Sequence, residues 1–218
     1  MFRLIFLVAA LVFTLAPIPA QAQRDIPQPQ RQEQHCVVYA QTVHLGDTIP
    51  SPEALSSILT QMDIPNPVLV GCYPTMQEAL YIGSNGSLSV SESATDTQIK
   101  REILYHASTR QGNLRSPTVV ALAYDGQSFT GTSYALFTSG GCDDPGNQLY
   151  MIPNYVALGH NDNLESMFTA SDCDSVFLYE DINYAGQYYN FFASSASFID
   201  PVRGVNLNNE VSSSAHFG

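Results

Sequence analysis

Tyr124-Asp125-Gly126-Gln127-Ser128-Phe129-Thr130-Gly131 and Tyr179-Glu180-Asp181-Ile182-Asn183-Tyr184-Ala185-Gly186 share one arrangement: an aromatic, four residues, an aromatic, one residue, a glycine. A polar hexapeptide follows each, Asn161-Asp162-Asn163-Leu164-Glu165-Ser166 after the first and Asn208-Asn209-Glu210-Val211-Ser212-Ser213 after the second. One match would be weak, but two in the same order make an internal repeat. A glycine two residues after an aromatic marks a hairpin folded back tightly, where only glycine accepts the backbone angle and leaves room for a ring. Tyr124, Phe129, Gly131, Tyr179, Tyr184 and Gly186 are therefore read as structural.

The hexapeptides carry different chemistry. Each gathers amides, carboxylates and hydroxyls around one apolar residue, Leu164 or Val211. With that residue pointing inward, the polar ones are left on a surface turn. Calcium takes roughly six to eight oxygen ligands, more than one hexapeptide supplies, so the two are expected to share ligands. A lone hexapeptide of this kind reads better as an Asn/Ser turn that begins a strand. Repetition in register with the hairpins favours calcium.

The surrounding sequence is β-like. Thr118 to Tyr124, Tyr134 to Phe137, Leu149 to Ile152, Val176 to Tyr179, Tyr188 to Phe192 and Ser197 to Ile199 are strand candidates rich in β-branched and aromatic residues. Short strands separated by turn residues predict an antiparallel sandwich. Upstream the pattern is mixed. Strands are expected at Cys36 to Ala40 and Val68 to Cys72. Ser51-Pro52 opens one helix, with Ala54, Leu55, Ile58 and Leu59 on its apolar face, and Thr75-Met76-Gln77-Glu78 is a capping box for a second, with Ala79, Leu80 and Ile82 inward. Gly83 ends that helix and Asn85-Gly86 is a turn. A third is expected over Thr97 to His106, with Ile99, Ile103 and Leu104 on one side.

The expected organisation is a signal peptide over 1–22, with an apolar run from Leu4 to Leu15 and the cleavage signal Ala20-Gln21-Ala22. A flexible leader (23–35), a small α+β domain or prosegment (36–106), a linker (107–117) and a β domain (118–218) follow. Export, to the extracellular space or the periplasm, makes an oxidising compartment the expected location. There Cys36, Cys72, Cys142 and Cys173 are expected to form two disulfides. Of three pairings, Cys36–Cys72 with Cys142–Cys173 is favoured because each closes a loop within one half of the chain.

The net charge of −12 is uneven: eleven acidic residues and only Arg203 lie beyond Pro117. Such a field repels nucleic acid and concentrates cations. No G-x-S-x-G, H-E-x-x-H or phosphate-cradling glycine loop is present, so an enzyme is not expected. His160 beside the first hexapeptide is read as a turn residue.

With the hairpins and hexapeptides in view, residues 118–218 resemble the βγ-crystallin superfamily, which carries two Greek-key motifs per domain, each with an aromatic–glycine hairpin. Its calcium-binding members have an Asn/Asp-Asn/Asp-x-x-Ser/Thr-Ser clamp in each motif, and Asn208 to Ser213 matches every specified position. The resemblance implies a double Greek-key sandwich. It also implies calcium ligands from the Glu210 carbonyl and Ser212 hydroxyl in one site, from the Asn209 side chain in the other, and from the carbonyls of Asp125 and Glu180. Asp162, Asn163 and Glu165 are the matching candidates in the first clamp. Glu165 stands where Ser or Thr is expected, and a long insertion holding Cys142, Asp143 and Asp144 separates the first hairpin from its clamp. The leading expectation is a secreted, non-catalytic, monomeric calcium-binding protein. The alternative is a metalloproteinase inhibitor or killer-toxin-like protein on the same scaffold, contacting a secreted protease or a cell-surface target through the loop Gly140 to Gln148. No nucleic acid and, after signal cleavage, no membrane partner is expected.

Overall fold

The structure, a computed structural model, describes residues 33–44, 51–59, 61–62, 64–109, 117–142, 148–173 and 175–218. The expected signal peptide, most of the leader and linker, and Asp143 and Asp144 lie outside the described residues.

In chain order the elements are β1 (His35–Tyr39), β2 (Gln41–His44), α1 (Pro52–Leu59), β3 (Val68–Tyr73), α2 (Met76–Gly83), α3 (Asp96–Thr109), β4 (Thr118–Gly126), β5 (Thr130–Thr138) and β6 (Gln148–Ile152). There follow β7 (Ser166–Thr169), β8 (Ser175–Tyr179), β9 (Tyr188–Phe192), β10 (Ser194–Ser195), β11 (Ile199–Asp200), β12 (Val205–Asn206) and β13 (Ser213–Phe217). One sheet runs β10-β7-β4-β5-β1-β3, the other β2-β6-β13-β8-β9, and β11 pairs with β12 as a separate ribbon. The expected strand over Ser197 to Ile199 is not formed as such. Phe198 is instead buried in the core and its N–H donates to Asn208 Oδ1 at 2.7 Å.

Two Greek keys generate this order. In each, the first two strands form a hairpin (β4–β5, β8–β9) and the fourth pairs with the first (β7 with β4, β13 with β8). The third strand leaves its own motif: β6 pairs with β13 and β10 with β7. Each sheet thus holds three strands of one motif and one of the other, and the apolar residues between the sheets form one core that includes Leu164, Met167, Phe198 and Val211.

The N-terminal region is not a separate unit. β1 lies parallel to β5, and β2 pairs with β6 in the opposite sheet, so one short segment extends both sheets. The Cys36–Cys72 disulfide joins facing residues of β1 and β3. Cys142–Cys173 is the second bridge, and the pairing is the favoured one. The helices cover the outer faces of the sandwich. Ala79 and Leu80 of α2 and Ile99 and Ile103 of α3 cluster with Val119, Leu122 and Phe137. Leu55 and Leu59 of α1 cluster with Leu149, Met151 and Phe217 on the other side. A helical face needs an apolar partner, and here the partner is the outside of a sheet. The helical stripes are also narrower than expected, with Ala54, Ile58, Ile82 and Leu104 exposed.

Two disulfides fit an oxidising compartment. Among the described residues no helix is long and apolar enough to cross a membrane.

Candidate metal site

The two hairpins fold back identically. Ser128 and Phe129 adopt φ of 57° and 64°, and Asn183 and Tyr184 adopt 56° and 63°; Gly131 (83°) and Gly186 (77°) follow. A left-handed aromatic is strained, because its Cβ crowds the backbone, and must be held by its surroundings. Two devices hold it. Each ring packs edge-on against the preceding tyrosine, Phe129 on Tyr124 with centroids 5.9 Å apart and Tyr184 on Tyr179 at 5.7 Å. The last serine of each clamp then bridges the fold. Ser166 Oγ donates to the Gly126 carbonyl and accepts from Phe129 N–H, at 2.6 and 3.0 Å. Ser213 Oγ does the same with Asp181 and Tyr184, at 2.7 and 3.0 Å.

The clamps are joined reciprocally. Asp162 N–H donates to the Val211 carbonyl (3.2 Å) and Asn209 N–H to the Leu164 carbonyl (3.1 Å). Leu164 and Val211 are fully buried, as their positions in the repeat required. Asp162 and Asn209, the second residue of each clamp, both adopt left-handed backbone, φ 57° and 58°, a region that Asp and Asn tolerate. The fifth residues also match: Glu165 N–H donates to the Tyr124 carbonyl and Ser212 N–H to the Tyr179 carbonyl, both at 2.9 Å.

Side chains then meet across the clamps. Ser212 Oγ donates to Asp162 Oδ1 at 3.1 Å, while Asn161 Nδ2 donates to the other carboxylate oxygen. Asn209 Nδ2 donates to Glu165 Oε1 at 2.5 Å. Asp162 and Ser212 open onto a shallow concavity of about 420 Å³ whose walls include Glu180, Asp181, Asn209 and Glu210. Five of the eight candidate residues thus share one concavity. Glu165 meets Asn209 across the clamps, Asn163 is exposed, and Asp125 lies against Gly131, where a Cβ would stand 2.1 Å from its Oδ1. That glycine is the cradle for the Asp125 side chain. Asp181 was not singled out from the sequence, although it follows Glu180 directly.

The walls offer carboxylates, hydroxyls, amides and carbonyls, a donor set suited to a hard cation rather than to zinc or copper. Among the described residues no three His, Cys, Asp or Glu side chains gather as a metal cluster. His160 hydrogen-bonds Tyr134 and packs at a tilt against its ring.

No protein-family model matches the chain, and no curated protein matches it. Solved structures do. A βγ-crystallin from Ciona intestinalis is 16% identical, with 43% of this chain and 94% of that chain covered, at a TM-score of 0.31. A βγ-crystallin domain from Flavobacterium johnsoniae is 22% identical over 44% and 92%, at 0.30, and a βγ-crystallin from an archaeon 20% over 45% and 98%, at 0.29. The C-terminal half has the βγ-crystallin fold on its own topology: two Greek keys, two folded aromatic hairpins and two facing clamps.

Proposed function

We propose that this is a secreted, non-catalytic calcium-binding protein whose two clamps share their ligands. The observation that carries the reading is the convergence of Asp162 and Ser212, from different clamps, at 3.1 Å on a concavity also walled by Glu180 and Glu210. Asp162 is held at both carboxylate oxygens, and the reciprocal backbone bonds fix the distance between clamps. Preorganisation of this kind lowers the cost of gathering oxygens around a cation.

Calcium, when bound, supplies a positive charge that ties the two Greek keys together. Asp162, Ser212 and the Glu210 carbonyl would hold it in one site, Glu165 and Asn209 in the other, with the hairpin carbonyls of Glu180 and Asp125 alongside. The unfolded chain lacks the joined clamps, so binding stabilises the folded state by mass action. An affinity of roughly 10⁻⁴ to 10⁻³ M is expected for an extracellular module.

Thermal unfolding in chelator and then in millimolar calcium tests this, with Asn209→Ala and Ser212→Ala beside wild type. At tenfold excess over Kd a rise of about 3–6 °C per site is expected, reduced in both variants. No shift in a folded wild type would sink the reading, and a metalloproteinase-inhibition screen would follow.

A further inference from the structure

Resting on the calcium reading above, the chemistry of the two cross-clamp contacts can be compared position by position. Asp162 and Asn209 occupy the same place in the repeat, both with left-handed backbone. Glu165 and Ser212 also correspond, each tied through its N–H to the carbonyl of a hairpin tyrosine. One contact therefore has a carboxylate at the second clamp position and a neutral hydroxyl at the fifth: Asp162 and Ser212. The other has a neutral amide at the second position and a carboxylate at the fifth: Asn209 and Glu165.

The charges are exchanged, not lost. Each contact holds a single carboxylate, and the first clamp donates both. We infer that Glu165 is a compensating calcium ligand, supplying the charge that Asn209 lacks. Its departure from the Ser/Thr pattern thus maintains the first site.

Charge count separates glutamate from serine at this position. Calcium affinity in oxygen sites is set largely by the number of charged ligands and the rigidity of the site. With serine at 165, the Glu165–Asn209 contact would contain only neutral groups. The Glu165 carboxylate supplies the charge, and its hydrogen bond to Asn209 is the contact observed.

The test is calcium titration by calorimetry of the disulfide-bonded protein. Asp162→Asn is used as background to weaken the other site, and Tm in chelator checks folding. In that background Glu165→Ser, although it restores the family residue, is expected to weaken binding by roughly tenfold or more. Adding Asn209→Asp to Glu165→Ser rebuilds the Asp–Ser pairing of the second site and is expected to recover most of the loss. Binding by Glu165→Ser as tight as or tighter than its background, or no recovery in the double variant, overturns the inference while leaving calcium binding intact. Absence of any calcium heat in the wild type is a different result: it removes the calcium reading itself.

Discussion

Ser212 donates its hydroxyl to Asp162 Oδ1 across 50 positions of sequence, and at this bond, as at Asn209–Glu165, the two Greek keys meet through side chains. Its partner carboxylate is exposed, so the bond is modest in the absence of metal. A double-mutant cycle with Asp162→Asn and Ser212→Ala in chelator is expected to show coupling of about 0.5–1.5 kcal/mol. Repeated in calcium, the cycle should show larger coupling, because both residues then serve one ion. Equal coupling in both conditions would argue against a shared site.

Ser213 is fully buried and satisfies both the Asp181 carbonyl and the Tyr184 N–H. Ser213→Ala leaves both without that partner and is expected to cost about 1–3 kcal/mol in urea unfolding. Ser166→Ala, its counterpart, is expected to cost less, because Phe129 is only half-buried and water can reach the fold. The opposite ranking would refute this account of the hairpins.

A fragment of residues 117–218 should not behave as an independent βγ domain. Without the N-terminal region, Val119, Leu122 and Phe137 lose their cover on one face and Leu149, Met151 and Phe217 on the other. The hairpins lose grip as well: Ser56 Oγ donates to the Tyr184 carbonyl, and the Lys100 ammonium sits 3.5 Å from the Phe129 ring centroid. The fragment is expected to bind hydrophobic dyes and to aggregate. A soluble monomer with the near-ultraviolet circular dichroism of the full chain would contradict this.

His216 is fully buried, and burial lowers its pKa from 6.5 to about 3. Its Nε2 pairs with Ser214, which also bonds the Tyr155 hydroxyl, while Nδ1 has no hydrogen-bond partner among the described residues. The folded pKa lies below the unfolded one, so the unfolded chain binds the proton first. This contribution to stability is complete above pH 6.5 and is lost as pH falls toward 3, with a slope approaching about 1.4 kcal/mol per pH unit. His216→Gln should flatten the unfolding profile between those limits, even if it lowers stability at neutral pH. An unchanged slope would sink the prediction.

Much of this was legible in the sequence because the signals were local. The hairpin signature encodes its own geometry: the same three left-handed positions recur at Ser128, Phe129 and Gly131 and at Asn183, Tyr184 and Gly186. The cap at Thr75 is equally local, its hydroxyl accepting from Glu78 N–H. The attachment of the N-terminal region was missed, although one signal was available. Val119 to Tyr124 is a continuous apolar run, all of it buried, which marks a strand covered on both faces rather than one facing water.

By itself, then, the sequence determined the repeat, the turn conformations and the inward residues Leu164 and Val211, because each depends on steric limits and polarity within a few residues. Only the tertiary structure decided that α1, α2 and α3 shield the sandwich and that Asp162 meets Ser212 while Glu165 meets Asn209. Those pairings depend on the exchange of β6 and β10 between sheets, a long-range arrangement held by the shared core, to which no short stretch of chain commits alone.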